Sequence, residues 1–76
     1  MTAPTVLIAG LSGRALSQAA RRANLTPLVV DAFGDEDTRD CALALRTLPD
    51  ALTRGFRTKS LITALDELTA IAPTKP

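Results

Sequence analysis

Between residues 5 and 31 the chain reads TVLIAGLSGRALSQAARRANLTPLVVD, and no other stretch limits its possible folds so sharply. An apolar run at residues 6–9 meets Gly10-Leu11-Ser12-Gly13. A helix-forming segment, residues 14–23, follows, and then a second apolar run, residues 28–30, that ends on Asp31. A run without polar alternation marks a strand covered on both faces. Strand, glycine turn, helix, strand and terminal carboxylate make up the mononucleotide-binding half of a doubly wound α/β sheet. Such sheets host many chemistries, so the loop residues have to be judged on their own.

The remaining elements follow from punctuation. Residues 1–4 are a frayed lead-in. Ser12 is placed to cap the first helix, with Ala15, Leu16, Ala19, Ala20 and Ala23 as its apolar stripe. Arg21 and Arg22 complement the dipole of its last turn, and Asn24 suits a left-handed residue after it. Pro27 opens the second strand. Gly34 reads as a turn, and Asp35 or Asp37 as the cap of a short helix running towards Leu43. A third strand is expected near residues 44–48, although residues 41–45 are also good helix sequence. Pro49-Asp50 ends it, and Arg54-Gly55-Phe56-Arg57 reads as a loop. A last helix begins at Thr58 or Ser60 and runs to Ile71, with Leu61, Leu65, Leu68 and Ala72 on one face, Ile62 beside them, and Pro73 as the stop.

The expected fold is therefore a small Rossmann-like βαβαβα unit, one α/β domain over residues 1–76, with helices on both faces of a parallel sheet. In the strand order usual for such sheets, 3-2-1-4, the first strand is central. Here no fourth strand lies beside it, and an apolar strand with an open edge is a pairing liability. Residues 73–76 stand where a linker into that strand would lie, so the chain reads as a piece of something larger or as a module that pairs with its own copy.

Composition removes several functions. Nine basic and eight acidic residues give +1, which favours neither nucleic acid nor an anionic membrane. Phe33 and Phe56 are the only aromatics, leaving little on which to stack bases. Without histidine there is no imidazole base, no Ser-His-Asp triad and no histidine metal site. Cys41, the single cysteine, cannot form an intrachain disulfide and has no histidine to activate it, so it reads as a packed residue. Met-Thr-Ala-Pro lacks the basic region of a signal peptide, and no apolar run approaches the ~20 residues of a membrane span. The expectation is a soluble, cytoplasmic protein.

The candidate site is the glycine turn. Gly10-Leu11-Ser12-Gly13 sets backbone N–H groups at a helix N-terminus, where a phosphate or carboxylate could bind. The same glycines also suit a tight strand-to-helix turn with no ligand. Arg14, set against the helix dipole, favours an anionic partner. No Gly-Lys-Ser/Thr follows, so the turn is not a P-loop. As a dinucleotide fingerprint it is defective, because Leu16 stands where a third glycine should allow close packing. Asp31 does lie where a ribose-binding acid would. Asp35, Asp37 and Asp40 match neither an EF-hand nor a phosphatase Asp-x-Asp pattern and read as helix-capping and solvated acids.

Three segments carry a resemblance: Gly10-Leu-Ser-Gly-Arg-Ala-Leu16, Val30-Asp-Ala-Phe-Gly-Asp-Glu-Asp-Thr38, and Gly55-Phe56 ahead of the last helix. In these the chain resembles the N-terminal (pre-ATP-grasp) domain of ATP-grasp ligases, in particular ATP-dependent carboligases related to biotin carboxylase. The resemblance implies a parent enzyme that forms an acyl-phosphate with ATP and Mg²⁺ and passes the acyl group to an amine or similar nucleophile. Nucleotide and metal would be held by later ATP-grasp domains, the partners of this one. The first domain would line the substrate side, with Gly10, Ser12, Gly13, Arg14 and Asp31 as substrate- or anion-binding candidates. Because those later domains are absent from these 76 residues, the chain alone is not expected to be catalytic. Two other readings stay open: a minimal nucleotide- or NAD-binding domain, and an interaction module that dimerises through its open sheet edge.

Overall fold

A computed structural model describes residues 4–73. Residues 1–3 of the lead-in expected at 1–4, and residues 74–76 of the linker expected at 73–76, lie outside the described residues. Three parallel strands, β1 (Thr5–Ala9), β2 (Thr26–Asp31) and β3 (Ala44–Thr47), form one sheet in the order β1-β2-β3. Leu7 stands opposite Leu28, and Val29 opposite Leu45. Helix α1 (Arg14–Arg22) joins the first two strands and the short α2 (Glu36–Cys41) the second and third. A single turn, α3 (Ala51–Arg54), leads into α4 (Thr58–Ile71). The chain is thus a three-layer α/β unit with an open parallel sheet, as its pattern of apolar runs and glycine turns requires.

Every residue of β2 is buried, because among the described residues it is the strand with a neighbour on both sides. Side chains alternate along it. Leu28 and Val30 meet Ala64 and Leu68 of α4, with Leu7, Leu61, Leu65 and Phe56 packed around them. Val29 meets Ile8 and Ala20 on the other face, beneath α1. Proline is rare inside a sheet because it has no N–H to donate. Pro27 is tolerated because β3 begins pairing only at Leu28, and the Pro27 carbonyl still accepts from Leu43 N at 2.8 Å.

Helix α1 departs from expectation in two ways. Gly13, not Ser12, is its N-cap, and no side chain caps it. Its buried line runs through Gly13, Ser17 and Ala20, while Ala15, Leu16, Ala19 and Ala23 are exposed. The helix lies so close to the sheet that only small residues fit beneath it. Ser17 is fully buried because its hydroxyl donates to the Gly13 carbonyl at 2.6 Å and needs no solvent. A hydrophobicity pattern ranks serine as polar and so points to the wrong stripe. Past the helix, Asn24 takes the left-handed conformation (φ 64°), as expected.

Helix α2 is capped by Asp35, whose Oδ1 accepts from Thr38 N at 3.0 Å and Thr38 Oγ1 at 2.7 Å. The turn α3 was not anticipated. It is held by bonds such as Ala51 N to Leu48 O, and four residues are too few to show a helical period. In α4, Ala64 and Leu68 are buried and Leu61 and Leu65 half-buried, as is Ala72 just past its end. Ile62 faces solvent, 52% exposed, instead of joining that face.

Candidate functional site

The turn between β1 and α1 lies at the carboxyl end of the parallel sheet, the end where open α/β sheets bind ligands. Gly10 N donates to Val30 O at 3.1 Å, and Leu11 O accepts from Ala32 N at 3.0 Å, which fastens the turn to the end of β2. The two glycines do different work. A Cβ on Gly13 would stand 2.5 Å from Val29 Cγ1, so the close approach of α1 to the sheet excludes any side chain there. A Cβ on Gly10 would meet nothing nearer than Ser12 O at 3.7 Å. Gly13 thereby takes the packing role that a dinucleotide fingerprint gives to its third glycine, and Leu16 at that third position points outward, 56% exposed.

Asp31 is the structural centre of this end. Its carboxylate is fully buried. Oδ2 accepts from Gly13 N at 3.2 Å and Oδ1 from Gly34 N at 2.9 Å. One carboxylate therefore ties the β1–α1 turn to the β2–α2 turn and supplies the negative charge that the N-terminus of α1 favours. Gly34 sits at φ 60°, and a Cβ on it would come 2.5 Å from Thr47 Oγ1, so this second turn also needs glycine. Sequence reading marked Gly34 as a turn but missed its bond to Asp31; the Asp-x-x-Gly spacing was the available signal.

Of the five candidates, Gly13 and Asp31 are brought together, and both are buried. Ser12 and Arg14 stand exposed on the rim, with Gly10 behind them. The guanidinium of Arg14 lies 3.7 Å from Asp37, an ion pair with both side chains more than half exposed and hence weak. No acidic residue lies in the first turn of α1. The N–H groups of Arg14, Ala15 and Leu16 have no acceptor within the helix, as in any helix start. The rim thus offers backbone donors, a hydroxyl and a cation, with Leu11 and Phe33 exposed on the same two turns. That set can hold an oxyanion beside an apolar group.

Asp35 lies close by. Its bonds from the Thr38 hydroxyl and then the Thr38 N–H hold its carboxyl below the ordinary 3.8; slight burial opposes them, and Arg14 adds a smaller push downward. Among the described residues no group of three His, Cys, Asp or Glu is placed to hold a metal ion. No helix is long and apolar enough to cross a membrane among the described residues. No protein-family model matches the chain, and neither a curated protein nor a solved structure is found similar to it.

Proposed function

We propose that this chain is the substrate-side α/β module of an ATP-grasp-type ligase, holding the anionic part of a substrate at the β1–α1 rim and not catalytic by itself. The burial of Asp31 carries the choice. A ribose-binding acid must present its carboxylate to two sugar hydroxyls, whereas both Asp31 oxygens are taken by Gly13 N and Gly34 N inside the fold. The dinucleotide alternative loses its specific acid. What remains is an oxyanion rim of backbone N–H groups, Ser12 and Arg14, which suits a carboxylate or acyl-phosphate. The three segments that resemble pre-ATP-grasp domains supply the finer reading; in it, nucleotide and Mg²⁺ belong to the partner domains.

An amide-shift NMR titration tests this with three probes: acetate with inorganic phosphate, ATP–Mg²⁺, and NAD. Saturable shifts at Ser12 and Arg14 with the small anions, and none specific to either nucleotide, are expected. Saturable NAD shifts at residues 10–14 and Asp31 would replace the reading with a cofactor-binding domain. Rim amides that respond to none of the three would remove it.

A further inference from the structure

At the carboxyl end of β3 the chain turns around a hollow of about 110 Å³. Leu48 follows the strand directly and donates its N–H to Asp31 O at 2.7 Å, so the hollow lies at the same ligand-binding end of the sheet as the glycine turns. Its apolar lining is Leu48, Ala51 and Phe56. Ala51 is buried, and Leu48 and Phe56 pack against the core of Leu28, Val30, Ala64 and Leu68, which fixes this wall in place. Three polar residues complete the lining: Asp50, Arg57 and Ser60.

The fold uses none of these three side chains. Asp50 is the N-cap of α3 but does not cap it, because its backbone is helical (φ −61°, ψ −20°) and a capping side chain needs the extended conformation. Asp35 has that conformation (ψ 165°) and does cap α2. The Asp50 carboxylate is left without a hydrogen bond, and so are the Arg57 guanidinium and the Ser60 hydroxyl among the described residues. Asp50 and Arg57 do not pair with each other either; the ion pair among the described residues is that of Arg14 with Asp37. Ser60 also lines an adjoining groove with Arg46 and Lys59, which makes that side of the hollow cationic. Glu67 in the same groove lies about two turns further along α4.

We infer that the hollow binds a small α-amino acid, with its ammonium on the Asp50 carboxylate, its carboxylate on Arg57 and Ser60, and its side chain against Leu48, Ala51 and Phe56. This goes beyond the functional reading and does not rest on it. Three relations select the ligand class. The first is charge: an anion alone would face Asp50 and a cation alone would face Arg57, whereas a zwitterion gives each its opposite. The second is hydrogen bonding. A guanidinium holds a carboxylate through two parallel bonds. An ammonium carries only donors, which suits an acceptor-only carboxylate. The third is size. At about 30 Å³ per water in the liquid, the hollow has room for about four waters. Glycine or alanine fits such a space, which is well below the roughly 300 Å³ at which pockets begin to hold drug-sized ligands. A few convergent polar groups on an apolar wall are the make-up of a small-molecule site.

An amide-shift NMR titration of the 76-residue chain with L-alanine, acetate and methylammonium tests this. L-Alanine should give saturable shifts at Ala51, Gly55, Arg57 and Ser60, and acetate and methylammonium should each bind there at least about tenfold more weakly. Arg57→Gln and Asp50→Asn each remove one charge from an exposed side chain. Either should weaken L-alanine binding at least about tenfold, with an unchanged circular dichroism spectrum. No saturable shift with L-alanine, an equal response to acetate (an anion site only), or an affinity that survives either substitution would overturn the inference. If a variant does not fold, the three probes on the wild type are sufficient to refute it. Shifts at Ser12 and Arg14 report the β1–α1 rim instead, so this inference and the functional reading can fail separately.

Discussion

The carboxylate of Asp31 accepts the backbone N–H of Gly13 at 3.2 Å, across 18 residues of chain and without contact with solvent. This bond joins the end of the central strand to the start of the first helix, and Gly34 N on the other oxygen makes it a clamp. Asp31→Asn tests it. An amide has one acceptor oxygen, so its NH₂ must face one of the two N–H donors. Stability should fall by about 2 kcal/mol on urea denaturation. A loss below about 0.5 kcal/mol would show that the clamp is not needed.

The two glycines of the first turn should separate cleanly. Gly13→Ala drives a Cβ into Val29 and should cost about 1–3 kcal/mol as overpacking. Gly10→Ala places its Cβ in open space and should stay within about 0.5 kcal/mol of wild type. Thermal unfolding of both variants measures the difference, and equal losses would contradict the placement of α1 on the sheet.

On α4 the contrast lies between inside and outside. Leu68 is fully buried against Leu28 and Val30, so Leu68→Ala should cost about 2–5 kcal/mol. Ile62 faces solvent, and Ile62→Ala should cost about 0.5 kcal/mol or less. Chemical denaturation that reverses this order would rotate the helix.

Arg14→Ala removes only an exposed pair with Asp37, worth at most about 1 kcal/mol. Folding should be close to wild type while phosphate-induced shifts at Ser12 weaken. A variant that unfolds would make Arg14 part of the scaffold instead of the rim.

The cap of α2 predicts a pH dependence with a definite sign. The folded carboxyl of Asp35 lies below its ordinary 3.8, so its ionised form favours the fold. That contribution is complete above the unfolded value and is lost as pH falls through the folded one. Asp35→Asn should therefore show a shallower fall in stability below about pH 4 than wild type does. Parallel acid-denaturation curves would exclude the carboxylate as the cause.

The α/β class, the three strands, the left-handed Asn24 and the stop before Pro73 were legible in the sequence, because each follows from local chemistry: an apolar run, a turn residue, a missing N–H. The roles of Asp31, Ser17 and Leu16 were not. Asp31 ends an apolar run whether its carboxylate meets a ligand or two backbone N–H groups, and only the approach of Gly13 and Gly34 decides between them. Ser17 reads as polar until the Gly13 carbonyl accepts a hydrogen bond from its hydroxyl, and Leu16 reads as core until the closeness of α1 to β2 leaves room only for small side chains. Periodicity reports which residues share a helix face. The distance between helix and sheet, fixed by contacts far apart in the chain, decides which face is inside.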